Sequence, residues 1–148
     1  EKVYASLELP EGRGNKHEIA GITVIDDSYN ANPASMKIAL DQLNQMSGRG
    51  RRIALLGEML ELGRHSESAH VEIARSCEGL DRVLTFGSSF ESLVTGSHYS
   101  SINDFDLPSF VSELRPADVI LVKGSNKIFW ANGFVNRLIK SIGSTDSG

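Results

Sequence analysis

The chain has 148 residues, a length typical of one domain with its own core, and 40% of its residues are hydrophobic. The net charge of −4, from 15 Lys and Arg against 19 Asp and Glu, argues against a dedicated binder of nucleic acid or anionic membranes. The single cysteine, Cys77, excludes an internal disulfide and fits a reducing cytosol, and no apolar run is long enough to span a membrane.

The predicted elements alternate between short β-branched runs and segments of helical period. In chain order they are a strand at 22–26, a helix at 33–47, a strand at 52–56, a helix at 66–77, a strand at 82–86, a short helix at 88–95, a short strand at 98–102, a helix at 107–114, a strand at 119–122 and a helix at 128–142. Asn32 is expected to cap the first helix, with Pro33 at its first position. Strands that alternate with helices predict an α/β fold with a mostly parallel sheet.

Residues 1–21 break the alternation. Two segments there, 4–9 and 17–19, are either antiparallel edge strands or part of a linker. We expect a linker or edge segment at 1–16 from an absent upstream domain, one domain at 17–142 and a disordered tail at 143–148. The start without an initiator Met favours a segment cut from a longer polypeptide, although a trimmed tag would give the same start.

Segments at 26–33, 57–63, 87–89 and 123–127 follow four of the predicted strands, and three of these four strand ends are polar. In open α/β sheets, ligands bind outside the carboxyl ends of the strands, where the strand order reverses. Because the ends of parallel strands lie on one edge of a sheet, these segments are predicted to form one side of a single cleft.

The pair Asp26 and Asp27 is the sharpest local feature of the first segment. Successive strand residues point to opposite faces, so the two carboxylates are expected to have different roles. One of them can accept hydrogen bonds from a ribose, or one caps a turn while the other is solvated. Tyr29 either stacks on a base or packs beside the sheet. Asn30 and Asn32 either bind a ligand or serve turns and caps.

The last segment, Lys123-Gly124-Ser125, suits a carboxylate or phosphate, although a turn that needs glycine explains it too. Glu58 and Glu61 in the second segment can orient a cation or an ammonium group, or can be solvated loop charges. His70 is expected to be structural, and Cys77 to be inert core. The sequence contains no Walker A motif, dinucleotide-binding glycine fingerprint or nucleophile elbow, so the chain alone is not expected to transfer phosphoryl groups.

Three motifs together resemble a known family. The runs Asp-Asp-Ser-Tyr-Asn-Ala-Asn-Pro-Ala-Ser at 26–35, Leu-Gly-Glu-Met-Leu-Glu-Leu-Gly at 56–63 and Val-Lys-Gly-Ser at 122–125 are similar, in order and spacing, to the C-terminal domain of the Mur ligases. Gly-Arg at 12–13 matches the pair that opens this domain. Within the family, the motifs resemble the member that adds D-alanyl-D-alanine to UDP-N-acetylmuramoyl-tripeptide.

The resemblance implies a Rossmann-like three-layer sandwich with an antiparallel edge, the third domain of a cytoplasmic enzyme of peptidoglycan synthesis. The complete enzyme would use ATP and Mg²⁺ to form an amide bond through an acyl phosphate. Its partners would be the two substrates and the absent N-terminal and central domains, with no nucleic acid or membrane. The fragment is expected to carry no catalytic or metal-binding residue and to be inactive alone.

For the nucleotide, the resemblance implies contacts from Arg13 near the hinge and from Asp27 to the ribose hydroxyls. Tyr29, Asn30 and Asn32 are expected near the adenine.

For D-alanyl-D-alanine, the resemblance places Lys123 and Ser125 at the strand end that faces the amino substrate, with Glu61 bordering the same cleft. One departure concerns the segment after this motif. Relatives often carry a Glu there, whereas this chain has Phe-Trp-Ala-Asn at 129–132, and Trp130 is expected to anchor the helix instead.

Two other interpretations compete with the ligase. A phosphoacceptor receiver also has an acidic pair after its first strand and a Lys after its last, but it needs an Asp after the third strand, where this chain has Thr85-Phe86-Gly87. A non-catalytic Rossmann-like ligand-binding domain is the other alternative.

Overall fold

A six-stranded β-sheet forms the centre of the molecule, in a computed structural model that describes residues 10–46, 50–93 and 96–147. The strands are β1 (Asn15–Ile19), β2 (Ile22–Asp27), β3 (Arg52–Gly57), β4 (Arg82–Phe86), β5 (Ser97–Tyr99) and β6 (Val119–Lys123). Their order across the sheet is β1-β2-β6-β3-β4-β5, and only the β1–β2 pair is antiparallel. The mostly parallel sheet with an antiparallel edge is therefore confirmed.

Among the described residues, the α-helices that cover the sheet are α1 (Pro33–Gln45), α2 (Ser66–Ser76), α3 (Leu107–Ser112) and α4 (Phe134–Ser147). Helix α1 begins as predicted, with Asn32 as its cap and Pro33 in its first turn. The Asn32 Oδ1 atom accepts from the Ser35 backbone N–H at 2.8 Å, and the Ser35 Oγ atom accepts from the Asn32 backbone N–H at 3.1 Å. This reciprocal pair fixes the chain where it leaves β2.

The helices lie in two layers because the central strands are apolar on both faces. In β3, Ile53 and Leu55 belong to one buried cluster with residues of α3 and α4, whereas Ala54 and Leu56 belong to another with residues of α1 and α2. Each fully buried Leu or Ile contributes about 1.5–3 kcal/mol. The result is a three-layer sandwich. Within the described part of the chain, no helix has both the length and the apolar character needed to cross a membrane.

The order of the strands creates a crevice between β2 and β6. The chain runs from β2 outward through β3, β4 and β5 and then returns to insert β6 between β2 and β3. Helix α1 leaves β2 toward one face, and α4, after β6, packs on the other face. The chain segments therefore diverge at the carboxyl ends of these two neighbours, which is where open α/β sheets bind ligands.

The end of the chain differs most from the prediction. A helix was expected at 128–142, but a 3₁₀ turn (Trp130–Asn132) comes first, and Gly133 takes a left-handed φ of 59° before α4 begins at Phe134. The left-handed residue interrupts helical geometry, and glycine adopts it readily. Helix α4 then continues to Ser147, whereas a disordered tail was expected at 143–148. Buried Leu138 and Ile142 hold this helix on the core.

Smaller differences between the predicted and the observed elements concern the edge strands and the connecting segments. The predicted edge strand at 17–19 is confirmed within β1, whereas the segment 4–9 lies outside the described residues. The short helix expected at 88–95 is only a 3₁₀ turn (Ser88–Phe90), with 94–95 outside the described residues. The predicted linker also packs on the sheet at its end, since the Gly14 N–H donates to the Asp26 carbonyl at 2.7 Å.

Candidate functional site

An ion pair occupies the carboxyl ends of β2 and β6. Asp27 and Lys123 are register partners on these neighbouring strands, and the Lys123 Nζ atom lies 2.9 Å from the Asp27 Oδ2 atom. The same ammonium group donates to the Asn30 carbonyl at 3.1 Å. The Lys123 side chain is 3% exposed and that of Asp27 is 26% exposed. The pair therefore fixes the loop after β2 with charge-assisted hydrogen bonds that water reaches poorly.

Asp26 has a different role, as expected for two successive strand residues. Its Oδ1 atom accepts from the Ser28 Oγ–H at 2.5 Å and from the Ser28 backbone N–H at 3.3 Å, and both side chains are buried. Asp26 thus shapes the turn after β2 and leaves Asp27 to face the crevice.

The segment Gly12–Arg13 crosses the same edge of the sheet. The Gly12 carbonyl accepts from the Tyr29 backbone N–H at 3.0 Å, so this segment is tied to the loop after β2. The exposed Arg13 guanidinium lies over the Tyr29 ring, 4.4 Å from its centroid, in a cation–π contact. Tyr29 therefore packs against the arginine side chain.

These residues surround one open cavity of about 240 Å³, here called the β2–β6 cavity. All five residues predicted to bind nucleotide line it, together with three others; the complete lining is Gly12, Arg13, Asp27, Tyr29, Asn30, Asn32, Ser35 and Lys123. The Asp27 Oδ1 atom accepts no hydrogen bond from the described residues, so it remains available to a hydroxyl donor. The cavity is smaller than the 300–1,000 Å³ usual for a complete small-molecule site, so it suits part of a ligand.

The other residues predicted to bind substrate lie apart from this cavity. Ser125 is 4% exposed, its backbone N–H donates to the Glu58 carbonyl at 3.3 Å, and its Oγ atom has no partner among the described residues. Glu61 is exposed in the loop after β3, with a left-handed φ of 63°, and does not line the cavity. The structure thus groups Lys123 with the predicted nucleotide residues rather than with Ser125 and Glu61.

Close backbone contact joins the ends of β3 and β6. A Cβ atom on Gly124 would lie 2.7 Å from the Gly57 Cα atom, so only glycine fits there. The Glu58 Oε1 atom accepts from the Ser89 backbone N–H at 3.1 Å and so ties the loop after β3 to the loop after β4. Glu58 therefore holds loops together rather than facing a ligand as a free charge.

His70 is structural, as predicted. Its ring is fully buried, the Nε2 atom accepts from the Met59 backbone N–H at 2.9 Å, and the Nδ1 atom lies 2.7 Å from the Ser66 carbonyl oxygen. This pattern requires the neutral tautomer with its proton on Nδ1. The histidine connects helix α2 to the loop after β3.

A larger cavity, about 570 Å³, lies between the end of α2 and the start of β4, far from the carboxyl ends of the strands. Two of its charged lining residues are already engaged: Asp81 accepts from the Arg52 backbone N–H at 2.7 Å, and Arg82 pairs with Glu113 at 3.2 Å. Cys77, also in the lining, is buried, and burial raises its thiol pKa to about 12. The predicted burial of Cys77 in the core is confirmed.

Sequence reasoning missed two members of the β2–β6 cavity, Gly12 and Ser35. A signal existed for Ser35, because Asn and Ser three residues apart at a helix start form a capping pair. Gly12 gave no local signal beyond its place beside Arg13.

This strand-end site on a mostly parallel sheet is accompanied by a clear family match. The chain belongs to the Mur ligase family: a family model described as "Mur ligase, glutamate ligase domain" matches residues 12–126. The receiver-like alternative is wrong, and the position that would need an Asp holds buried Thr85.

Two similar relatives carry the name UDP-N-acetylmuramoyl-tripeptide–D-alanyl-D-alanine ligase. The chain is 34% identical over 118 residues to the ligase of that name from Bacillus subtilis, covering 72% of this chain and 26% of the relative. It is 35% identical over 114 residues to the one from Escherichia coli, covering 69% and 24%. The chain spans about a quarter of the length of these curated relatives.

Among solved structures, the MurF ligase from Thermotoga maritima in complex with ADP matches with a TM-score of 0.79 and 26% identity. The match covers 95% of this chain and 33% of that chain. The Rossmann-like three-layer fold expected from the resemblance is therefore confirmed.

Proposed function

We propose that the chain is the C-terminal part of an ATP-dependent cytoplasmic ligase that joins D-alanyl-D-alanine to UDP-N-acetylmuramoyl-tripeptide in peptidoglycan synthesis. The names of the relatives support this reaction. The observation that carries the role of this chain is the β2–β6 cavity, where five predicted nucleotide residues converge at the switch in strand order. In this proposal the chain supplies one side of the nucleotide site.

The side chains of the cavity match the chemistry of a nucleotide. Asp27 presents one carboxylate oxygen without a partner among the described residues, which suits a ribose hydroxyl. Arg13 carries a fixed positive charge at the rim, which suits a phosphate oxygen. Asn30 and Asn32 are exposed on the same wall and offer amide groups to the base.

Lys123 contributes to this site by holding Asp27. Its buried ammonium group donates to Asp27 and to the Asn30 carbonyl, and so keeps the carboxylate and the loop in place. Contact of Lys123 with the dipeptide carboxylate remains a prediction of the resemblance, as does the role of Glu61. For Ser125, the buried hydroxyl without a partner supports a role toward the dipeptide, since such groups generally have a hydrogen-bond partner.

No Mg²⁺ site is assigned to the described part of this chain. Among the residues that the structure describes, no group of three or more His, Cys, Asp or Glu side chains could hold a metal ion. We therefore assign no step to Mg²⁺ in this part of the enzyme. ATP would supply the energy for amide formation through phosphates held outside this chain, which has no Walker A motif. The absent N-terminal and central domains are thus the necessary partners.

Steady-state kinetics of the complete ligase test this proposal through Asp27→Asn. Loss of a charge-assisted hydrogen bond, worth about 1.5–3 kcal/mol, should raise the KM for ATP about 10-fold to 100-fold. The matched control is Asp41→Asn, the same change at an exposed position of α1, which should leave this KM unchanged. An unchanged KM for ATP in a folded Asp27→Asn enzyme would remove Asp27 from the nucleotide site.

Lys123→Met separates the two roles of the lysine. If Lys123 acts by holding Asp27, the KM for ATP rises more than the KM for D-alanyl-D-alanine. A larger rise for the dipeptide would instead favour direct contact with that substrate. The 148-residue chain alone, incubated with ATP and both substrates, should form no amide bond, and measurable turnover would contradict the proposal.

A further inference from the structure

Trp130 is the one tryptophan of the chain, and the family resemblance gives it no role in binding a ligand. It lies in the 3₁₀ turn after β6 and is 36% exposed. Its ring meets the Tyr29 ring edge-on, with centroids 5.1 Å apart and planes at 89°. Trp130 therefore contacts the loop after β2 through the Tyr29 ring.

The indole also restricts Gly12. A Cβ atom on Gly12 would lie 2.7 Å from the Trp130 Cζ3 atom and 3.1 Å from the Tyr29 Cβ atom, so only glycine fits between these two side chains. Gly12 has a left-handed φ of 80° and accepts the Tyr29 backbone N–H. Trp130 therefore presses the Gly12–Arg13 segment against the loop after β2.

The turn that carries Trp130 is itself well fixed. The Ala131 N–H donates to the Asn126 carbonyl at 2.9 Å, and the Asn132 Nδ2–H donates to the Ile128 carbonyl at 2.7 Å. The preceding Phe129 is fully buried. Contacts to the core therefore fix Trp130, so it can restrain the residues that pack against it.

We propose that Trp130 is a positioning residue of the nucleotide site. It lines a neighbouring cavity of about 290 Å³ but not the β2–β6 cavity, so it acts through Gly12 and Tyr29. By packing on both residues, Trp130 fixes the orientation of the Tyr29 ring, and the exposed Arg13 guanidinium packs on that ring. Arginine loses much rotamer freedom when it binds a phosphate, so a guanidinium held in advance binds more tightly. This inference rests on the proposed function.

The test compares Trp130→Ala, Trp130→Phe, Arg13→Ala and the double variant Trp130→Ala/Arg13→Ala in the complete ligase. Trp130→Ala should raise the KM for ATP about 3-fold to 10-fold with kcat within 2-fold of wild type, and Trp130→Phe, which keeps an aromatic ring, should restore most of the loss. The double variant should match Arg13→Ala alone, because Trp130 acts through Arg13. Ile38→Ala, which truncates another exposed apolar side chain, is the control and should change nothing.

A second readout uses the 148-residue chain without ligand. In nuclear magnetic resonance spectra, the Hα signals of Gly12 should carry a ring-current shift that Trp130→Ala removes and Trp130→Phe partly restores. A Gly12 signal unaffected by Trp130→Ala would overturn the contact.

The outcomes separate the two proposals. If both Arg13→Ala and Asp27→Asn leave the KM for ATP unchanged, the proposed nucleotide site fails. If Arg13→Ala raises this KM while Trp130→Ala leaves it unchanged, or while the two effects multiply in the double variant, only the positioning role fails.

Discussion

The partly buried pair of Asp27 and Lys123 predicts an asymmetric response to mutation. Asp27→Ala leaves the Lys123 ammonium group, 3% exposed, with the Asn30 carbonyl as its acceptor. Lys123→Met removes the charge and keeps most of the side-chain volume. It leaves the Asp27 carboxylate, which is 26% exposed and can be hydrated. The aspartate variant should therefore be the more damaging one.

The magnitudes follow from these exposures. An uncompensated buried charge costs about 3–5 kcal/mol, which is the expected loss for Asp27→Ala. Hydrogen bonds to charged groups contribute about 1.5–3 kcal/mol, which sets the loss for Lys123→Met. The double variant has no stranded charge, so its loss should be close to that of Lys123→Met. The coupling free energy of the pair is then about 3 kcal/mol or more.

Urea denaturation of the 148-residue chain, followed by circular dichroism, measures these losses as shifts in midpoint at constant slope. The coupling should persist in 0.5 M NaCl, because salt screens buried pairs much less than exposed ones. If the two single losses add in the double variant to within about 0.5 kcal/mol, the pair is not coupled and the reasoning is refuted.

Three further predictions concern residues outside the β2–β6 cavity. His70→Phe should destabilise the chain by about 1–3 kcal/mol and speed hydrogen exchange at Met59, whose buried N–H loses its acceptor; unchanged exchange would contradict the contact. Burial alone would raise the pKa of Asp118, but hydrogen bonds from the Arg51 guanidinium and from the backbone N–H groups of Arg115 and Arg51 outweigh it and hold this pKa below its ordinary value. Asp118 therefore stabilises the fold above about pH 4 and less as the pH falls through its lowered pKa. Acid should consequently destabilise wild type more steeply than Asp118→Asn, and equal slopes would argue against it. Since the pKa of Cys77 is raised to about 12, iodoacetamide at pH 8 should label the native chain at least about 100-fold more slowly than the urea-unfolded chain, and similar rates would show an accessible thiol.

Local pattern was enough to predict most elements and the edge of the sheet where the site lies. The strand at 82–86 has the bounds predicted from its β-branched residues, and Asn32 caps α1 through the chemistry its side chain implies. The gathering of Asp27 and Lys123 on one edge followed from the common direction of parallel strands. These features depend on residues near in sequence or on the handedness of βαβ units.

The contacts inside the site could not be predicted in the same way. The pairing of Asp27 with Lys123 depends on β6 lying next to β2, and strand order has no local signature. The face of Tyr29 is taken by Arg13, from a segment whose sequence resembles a linker. The sequence pattern predicts a helix through Gly133, because an isolated glycine inside a helical pattern does not reveal its left-handed φ.

The insertion of the last strand, β6, into the middle of the sheet determines when the protein can fold during its synthesis. Asp27 and Lys123 are 96 positions apart, and β2 and β3 are each hydrogen-bonded to β6 rather than to each other. Contacts so distant in sequence form slowly. On a ribosome, the β2–β6 cavity therefore cannot assemble before β6, which carries Lys123, has emerged from the exit tunnel.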